Sequence, residues 1–252
     1  MSKKVKPNGY ILQRLKSPID GKPCVVILTT KSANRKTGNM LQVWILREDI
    51  NPVEAIATGE DKSICGDCPH RKDLTTGNRS CYVNVGQAPQ SVWRAYKAGK
   101  YGKLSDLNPE DLHGKSIRWG AYGDPSIIDS SLVKILNEHA ESHTGYTHQW
   151  REDFAQPFKG YFMASVDTFA DYLDASAHGW KCFHVVPKNN IGQGKLCPAT
   201  VENSQAQCIT CRLCSGDKSD IFVVAHGRGS KYITWCYRIP RSRRHGGFSV
   251  YN

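Results

Sequence analysis

The feature that most constrains the fold is a run of cysteines near the carboxyl end of the chain. Cys197, Cys208, Cys211 and Cys214 follow the spacing C-x10-C-x2-C-x2-C, and Pro198 follows the first of them. Two residues between cysteines let both thiolates turn toward one metal centre. Three thiols at this spacing plus a remote Cys-Pro are typical of ferredoxin-type iron–sulfur sites. Four thiolates also suit a tetrahedral zinc ion. The sequence favours metal over a pair of disulfides, and an iron–sulfur cluster over zinc.

A second cysteine region lies between residues 60 and 101. Cys65 and Cys68 are separated by two residues, and Cys81 follows after twelve more. Three thiolates are one ligand short of a closed four-cysteine site. The fourth ligand is either His70, a distant cysteine, or an open position at which a substrate or cofactor binds iron. The remaining cysteines, Cys24, Cys182 and Cys236, are interpreted as core thiols.

Composition places these cysteines in a reducing compartment. The chain has 252 residues, 39% of them hydrophobic, with a mean hydropathy of −0.49 and no apolar run of membrane-spanning length. The basic amino terminus lacks the apolar segment of a secretory signal. We therefore expect a cytoplasmic protein with no membrane partner, in which a disulfide framework would not persist.

The formal charge of +11 favours polyanionic partners, and we expect a nucleic acid or nucleotide. The positive charge is densest in Lys3–Lys36 and Arg238–His245. Lys31, Arg35 and Lys36 belong to a turn-forming loop that could touch phosphates. A basic surface that serves only solubility is the alternative.

Hydrophobic patterning predicts an α/β fold. Val25–Thr30 and Leu41–Arg47 are expected to form an amino-terminal β-hairpin. An amphipathic helix with Val92, Trp93 and Tyr96 on one side follows the second cysteine region. From there strands and helices alternate, which predicts parallel strands with helical crossovers. The expected strands are Ile117–Tyr122, Gly145–Trp150, Tyr161–Val166, Trp180–Val186, Ile221–Ala225 and Tyr232–Ile239.

The predicted architecture is a partial (β/α) barrel-like parallel sheet, preceded by the hairpin region and carrying cysteine-rich metal-binding loops. Its expected divisions are a basic β-rich region over residues 1–60, an α/β core over 61–240, and a basic tail over 241–252. Within the core, the cysteine regions span 61–101 and 197–216.

Several polar residues lie where parallel strands are expected to end, which is where ligands gather in such folds. They are Tyr122, Asp124, His148, Gln149, Ser165, Asp167 and His226. Asp124 and His148 are the first candidates for proton transfer or substrate contact. Alternatively, Asp124 and Asp167 only cap helices, and His148 is a core residue. Templates for serine hydrolases, P-loop proteins, dinucleotide-binding folds and zinc proteases are absent from the sequence.

Several segments resemble an uncharacterised family of phage and mobile-element proteins. These are CGDCPHR, SCYVNVGQAP, RWGAYGDP, GYTHQW, MASVD, GWKCFHVVP and the final cysteine run, between residues 64 and 227. The resemblance implies the host cytoplasm for a phage-encoded chain. More distantly, three cysteines ahead of α/β units resemble radical-SAM enzymes, some of which carry an auxiliary carboxyl-terminal cluster.

The radical-SAM likeness implies that Cys65, Cys68 and Cys81 hold a 4Fe-4S cluster with one open iron. It also implies that Tyr122, Gly123 and Asp124 line a pocket for S-adenosylmethionine. Two functions from different classes follow. The first is an iron–sulfur enzyme, radical-SAM-like, that acts on nucleic acid or nucleotide. The second is a nucleic-acid-binding protein with structural zinc sites and no catalysis, and a third option is a protein scaffold that binds a host protein.

Overall fold

The computed structural model describes residues 7–188, 190–226 and 228–233. The strands are β1 (Gly9–Lys16), β2 (Pro23–Thr29), β3 (Leu41–Arg47), β4 (Gly102–Lys103), β5 (Ser116–Tyr122), β6 (Ser142–Thr144), β7 (Tyr146–Thr147), β8 (Met163–Val166), β9 (Cys182–Val186), β10 (Lys195–Leu196) and β11 (Ile221–Val224). The α-helices are α1 (Pro52–Thr58), α2 (Lys62–Cys65), α3 (Ala88–Lys97), α4 (Ser130–His139), α5 (Phe169–Ala177) and α6 (Cys208–Cys211).

Two sheets organise the described chain. The first has six strands in the order β4-β1-β2-β3-β5-β6, and the second has five in the order β10-β11-β9-β8-β7. The second sheet is parallel throughout. The first is mixed, because β1, β2 and β3 form an antiparallel meander before β3 pairs with β5 in parallel. The α/β class and the amino-terminal hairpin are therefore confirmed, whereas a wholly parallel sheet is not.

A single chain segment links the two sheets. β6 pairs with β5 in the first sheet, and β7 pairs with β8 in the second, with only Gly145 between them. The sequence predicts one strand over Gly145–Trp150, but the chain leaves the extended conformation after Thr147. Parallel pairing thus continues across this junction, from β3 to β11.

The core lies mainly against the first sheet. β2 and β3 are Val/Ile/Leu-rich and almost wholly buried, as expected for strands covered on both faces. Trp119, Phe158 and Phe162 are among the largest fully buried side chains, and the two phenylalanine rings stack with centroids 4.9 Å apart. α3 buries Val92 and Tyr96 as its helical spacing predicts.

The predicted boundary at residue 60 lies between β3 and β5, which pair in the same sheet. The division into domains stays a prediction. The strand expected over Tyr232–Ile239 lies mostly outside the described residues, as do Cys236, the cluster Arg238–His245 and the tail over 241–252. Residues 228–232 form a turn of 3-10 helix.

Candidate functional site

A cavity of about 460 Å³ lies against the parallel strands. On β5 the lining residues Arg118, Gly120 and Tyr122 alternate along the strand, as the two-residue period of a strand predicts. On β9 three consecutive residues line it, namely Phe183, His184 and Val185. The loops that follow the strands complete the wall.

The first cysteine group is Cys65, Cys68 and Cys81, and all three residues line the cavity. α2 ends at Cys65, and the amide of Cys68 donates to the Cys65 carbonyl at 3.3 Å. The amide of Cys81 donates to the His70 carbonyl at 2.9 Å, which returns the intervening loop to the Cys65–His70 turn. Burial raises the pKa of the Cys65 thiol well above its usual value, and the adjacent Cys68 and Cys81 thiols raise it further. The three thiols are therefore electrostatic neighbours.

The second cysteine group is Cys197, Cys208, Cys211 and Cys214. Cys197 follows β10, and its amide donates to the Phe222 carbonyl of β11 at 2.8 Å. α6 carries Cys208 and Cys211 and ends where Arg212 adopts a left-handed conformation, with φ of 55°. Burial raises the pKa of Cys214 to about 12, and the other three thiols contribute in the same direction. Cys197 and Cys208 line the same cavity as the first group.

The second group is held by a long-range contact. The loop between β2 and β3 packs on α6: the amide of Cys208 donates to the Lys36 carbonyl at 2.9 Å, and that of Ile209 to the Thr37 carbonyl at 3.3 Å. The Gln207 carboxamide donates to the Arg35 carbonyl at 2.8 Å. The basic loop between β2 and β3, for which phosphate contacts were considered, is thus hydrogen-bonded through its backbone carbonyls to the segment that carries Cys208.

The distances between ligand atoms indicate which groups could bind a single metal ion. Among the described residues, one set of three or more ligand atoms lies entirely within 4.8 Å, namely that of His70, His148 and Asp167. A tetrahedral zinc site with Zn–S bonds near 2.3 Å would place its sulfurs about 3.8 Å apart. In a 4Fe-4S cluster each thiolate binds a different iron, so the sulfurs lie further apart. All nine cysteines of the described residues are free of disulfides.

Asp124 lies just after β5, with 6% of its surface exposed. One carboxylate oxygen accepts from the Ser126 amide at 3.0 Å and the Ser126 hydroxyl at 2.8 Å. The other accepts from the Thr147 hydroxyl at 3.1 Å and the His148 amide at 2.8 Å. The capping alternative is thus confirmed, with Pro125 in the first turn. Asp124 joins the ends of β5 and β7 and so positions His148, while proton transfer by its carboxylate stays a prediction.

Tyr122 and Gly123, the other predicted cofactor contacts, also line the cavity. The Tyr122 hydroxyl is buried, with no hydrogen-bond partner in the described part of the chain. Burial raises its pKa well above the usual value, and Cys65, Asp61 and Cys81 add to the increase. Gly123 has φ of 82°, and a Cβ there would lie 2.8 Å from the Ile45 carbonyl oxygen. Glycine is therefore required by the backbone.

His148 and Asp167 meet a third residue, His70, at the cavity wall. His70 Nε2 lies 3.0 Å from Asp167 Oδ1, and His148 Nε2 lies 3.6 Å from Asp167 Oδ2. The alternative that Asp167 caps α5 is wrong, because Thr168 is the cap and accepts from the Asp171 amide. Each of the three side chains is only partly exposed, by 20% for the histidines and 29% for Asp167.

The other strand-end residues are placed as follows. Ser165 and His226 line the cavity, and His226 Nε2 lies 3.4 Å from Lys36 Nζ. The Gln149 carboxamide donates to the Cys65 carbonyl at 3.2 Å and so supports the first cysteine group.

Positive charges accompany both cysteine groups, a feature that the sequence reading missed. Burial raises the pKa values of Cys81, Cys208 and Cys197, whereas Arg79, Arg118 and Lys36 respectively oppose that rise. Arg118 donates to the Tyr82 hydroxyl at 2.8 Å, and no carboxylate of the described chain pairs with it. The available signal was the alternation of Arg118, Gly120 and Tyr122 along one strand.

Comparison with known proteins gives no match: no protein-family model, curated protein or solved structure is similar enough to assign the chain to a family. The resemblance to phage proteins and to radical-SAM enzymes stays a prediction. None of the helices in the described residues has the length and apolar character needed to cross a bilayer.

Proposed function

We propose that the chain is an iron–sulfur protein that acts on a nucleotide or nucleic acid in the cytoplasm, with radical-SAM-like chemistry. The observation that carries the proposal is that the first cysteine group and two members of the second, Cys197 and Cys208, line one cavity although they come from distant parts of the chain. Six of the seven thiols in these groups are only partly buried, whereas the core residues Cys24 and Cys182 are fully buried, and all the described cysteines are free of disulfides. Partly exposed thiols beside positive charges are typical of metal ligands and reactive cysteines.

The donor set fits iron–sulfur clusters. The second group offers four thiols, and the first offers three, one fewer than a closed set. No three sulfurs of the described residues lie within 4.8 Å of one another, so the support for a cluster comes from the number of thiols and their spacing along the chain. A bound cluster supplies electron transfer or Lewis acidity. Arg79, Arg118 and Lys36 would offset the negative charge of the thiolates.

The topology supports the barrel-like part of the proposal. Parallel pairing runs from β3 through the bent segment β6–β7 to β11, so that the two sheets would together form the wall of a partial barrel. Ligands in such folds bind at the carboxyl ends of the strands. Tyr122, with its unpartnered hydroxyl, and His148 would contact S-adenosylmethionine or the substrate there.

The nucleotide partner is proposed from charge. The carboxylates that line the cavity are already engaged: Asp61 pairs with Arg71, Asp124 accepts four hydrogen bonds, and Asp167 faces two histidines. Arg118 has no such partner in the described chain, which favours an anionic ligand. Tyr82, Tyr146 and Phe183 also line the cavity and offer rings on which a base could stack.

The test is anaerobic purification followed by iron, sulfide and zinc analysis and an absorption spectrum. We expect a brown protein with a broad band near roughly 400 nm, from thiolate-to-iron charge transfer. Serine at Cys65, Cys68 and Cys81 should remove one portion of the iron, and serine at Cys208, Cys211 and Cys214 the other. Alanine at the buried Cys24 or Cys182 is the matched control and should leave the iron unchanged. Colourless protein with stoichiometric zinc would contradict the proposal.

A nucleic-acid-binding protein with structural zinc is the second candidate. The observation that favours it is the exposed basic loop carrying Arg35 and Lys36, which the second cysteine group holds in place. This function predicts binding that weakens steeply with salt, since phosphate contacts release counterions. It also predicts that replacing His148 leaves binding intact. Salt-independent binding would exclude it.

A further inference from the structure

Potential metal-ligand atoms of His70, His148 and Asp167 converge at the cavity wall. The His70–Asp167 separation of 3.0 Å fits a hydrogen bond, but the His148–Asp167 separation of 3.6 Å is too long for one. His148 Nε2 also lies 3.8 Å from Cys68 Sγ, within the longer hydrogen-bond range of sulfur. Three electron-pair donors, one from each of His70, His148 and Asp167, lie within 4.8 Å of one another.

A metal ion accounts for these distances. Bonds of about 2.0 to 2.2 Å to nitrogen and carboxylate oxygen place neighbouring ligand atoms about 3.0 to 3.5 Å apart in octahedral or tetrahedral geometry. The observed separations, 3.0 Å from His70 Nε2 to Asp167 Oδ1 and 3.6 Å from His148 Nε2 to Asp167 Oδ2, are close to these edges for a carboxylate that binds through both oxygens. We propose that His70, His148 and Asp167 bind one divalent transition-metal ion through their Nε2 atoms and the carboxylate.

The surroundings of the group support a metal site. His70 Nδ1 lies 2.8 Å from the Ser80 hydroxyl, and metal-binding histidines usually fix their second nitrogen in this way. The ligands come from three separate elements, namely the loop after Cys68, the end of β7 and the end of β8. His148 is further anchored by its backbone amide on Asp124.

Two histidines and one carboxylate define the chemical class of the ion. Imidazole and carboxylate together suit Fe²⁺, Co²⁺, Zn²⁺ or Mn²⁺, and a two-histidine, one-carboxylate set with open positions is typical of non-haem Fe²⁺. All three residues line the cavity, so the open positions face a bound ligand. This ion is separate from the proposed clusters, because no cysteine belongs to the 4.8 Å set.

The test is a Co²⁺ titration of the full-length protein, followed by absorption spectroscopy. Cobalt bound by nitrogen and oxygen gives weak visible ligand-field bands, whereas cobalt bound by thiolates adds intense near-ultraviolet charge transfer. We expect Asp167→Ala and His70→Gln each to lose one equivalent of Co²⁺ that carries ligand-field bands alone. His226→Gln, at another cavity histidine, is the matched control and should bind as the unmodified chain does. Unchanged binding in both variants, or loss of a charge-transfer band, would overturn the proposal.

Thermal unfolding separates metal binding from a purely structural network. Added Co²⁺ should raise the Tm of the unmodified protein, because a ligand that binds only the folded state stabilises it. The rise should vanish in Asp167→Asn, which keeps the size and one acceptor oxygen of the carboxylate. An equal rise in Asp167→Asn would contradict the site.

The outcome is distinguishable from that of the proposed function. Asp167→Asn should keep the cluster absorption near roughly 400 nm, whereas serine at Cys65, Cys68 and Cys81 should remove the share of it that comes from the first cluster and keep the ligand-field cobalt. A colourless protein that still loses cobalt on Asp167→Ala refutes the iron–sulfur proposal and supports the mononuclear site. Loss of both signals in either variant refutes a separate site.

Discussion

Asp124→Ala is the substitution whose effect follows most directly from the structure. The buried carboxylate accepts four hydrogen bonds, at 3.0, 2.8, 3.1 and 2.8 Å, and alanine would leave the amides of Ser126 and His148 without an acceptor. A hydrogen bond to a charged group contributes about 1.5 to 3 kcal/mol, and an unmet buried donor costs a similar amount. Since the four bonds share one carboxylate and are not additive, we expect a loss of about 3 to 5 kcal/mol in the free energy of unfolding.

Asp129→Ala is the matched control. Asp129 also caps a helix and accepts from the Ser131 amide at 2.8 Å and from the Ser131 hydroxyl, but these bonds are exposed. Loss of such a cap costs about 1 kcal/mol. Urea unfolding of both variants, monitored by tryptophan fluorescence, measures the difference. If Asp124→Ala destabilises the protein no more than Asp129→Ala does, then the carboxylate does not join β5 to β7 as described.

Three further outcomes are expected. Gly66 and Gly77 both have positive φ, 57° and 74°, but only at Gly66 would a Cβ overlap a neighbour, the Gln149 carboxamide. Alanine at Gly66 should therefore cost about 1 to 3 kcal/mol more than at Gly77 in urea unfolding and lower the iron content, and equal costs would contradict the contact. Burial lowers the pKa of His184 from 6.5 to about 4, so the unfolded chain takes up a proton first as the pH falls. The contribution of His184 to the free energy of unfolding is complete above pH 6.5 and falls by about 3 kcal/mol as the pH drops to 4. In His184→Gln the free energy of unfolding should therefore decrease by about 3 kcal/mol less than in the unmodified protein over this pH range, as measured by urea unfolding. Arg47, whose side chain is 4% exposed, pairs with Glu60 at 2.6 Å and Asp49 at 2.9 Å. Arg47→Ala should lower the unfolding free energy by about 3 kcal/mol, and an effect below 1 kcal/mol, as for exposed pairs, would refute burial of the guanidinium.

The strands were the part of the fold that the sequence revealed best. β-branched runs such as Leu41–Arg47 and Ile117–Tyr122 lie within one residue of the observed β3 and β5. β1 was missed, because GYILQRLK mixes apolar and basic residues, and the second half of the strand is mostly partly or fully exposed. The bend at Gly145 was also missed, since a change of sheet leaves no mark on local hydrophobicity.

The site was predictable in kind but not in grouping. Cysteine spacing pointed to two groups of thiols, and the strand-end rule selected Asp124, His148 and Asp167. The sequence could not show that the Asp124 carboxylate accepts hydrogen bonds from its neighbours while the Asp167 carboxylate faces two histidines. That difference depends on which loops the strand order brings together. His70 was considered only as a fourth ligand of the first cysteine group, because it lies close to Cys68 in the chain.

The contact between the β2–β3 loop and α6 has a consequence for how the protein is made. The hydrogen bond from Gln207 to Arg35 spans 172 residues, so the scaffold around Cys208 is incomplete until the chain as far as Gln207 has left the ribosome. The second cysteine group therefore reaches its final position only after the strands of the amino-terminal sheet have been synthesised. Until then the amino-terminal sheet can form, but the loop between β2 and β3 lacks its contact with α6.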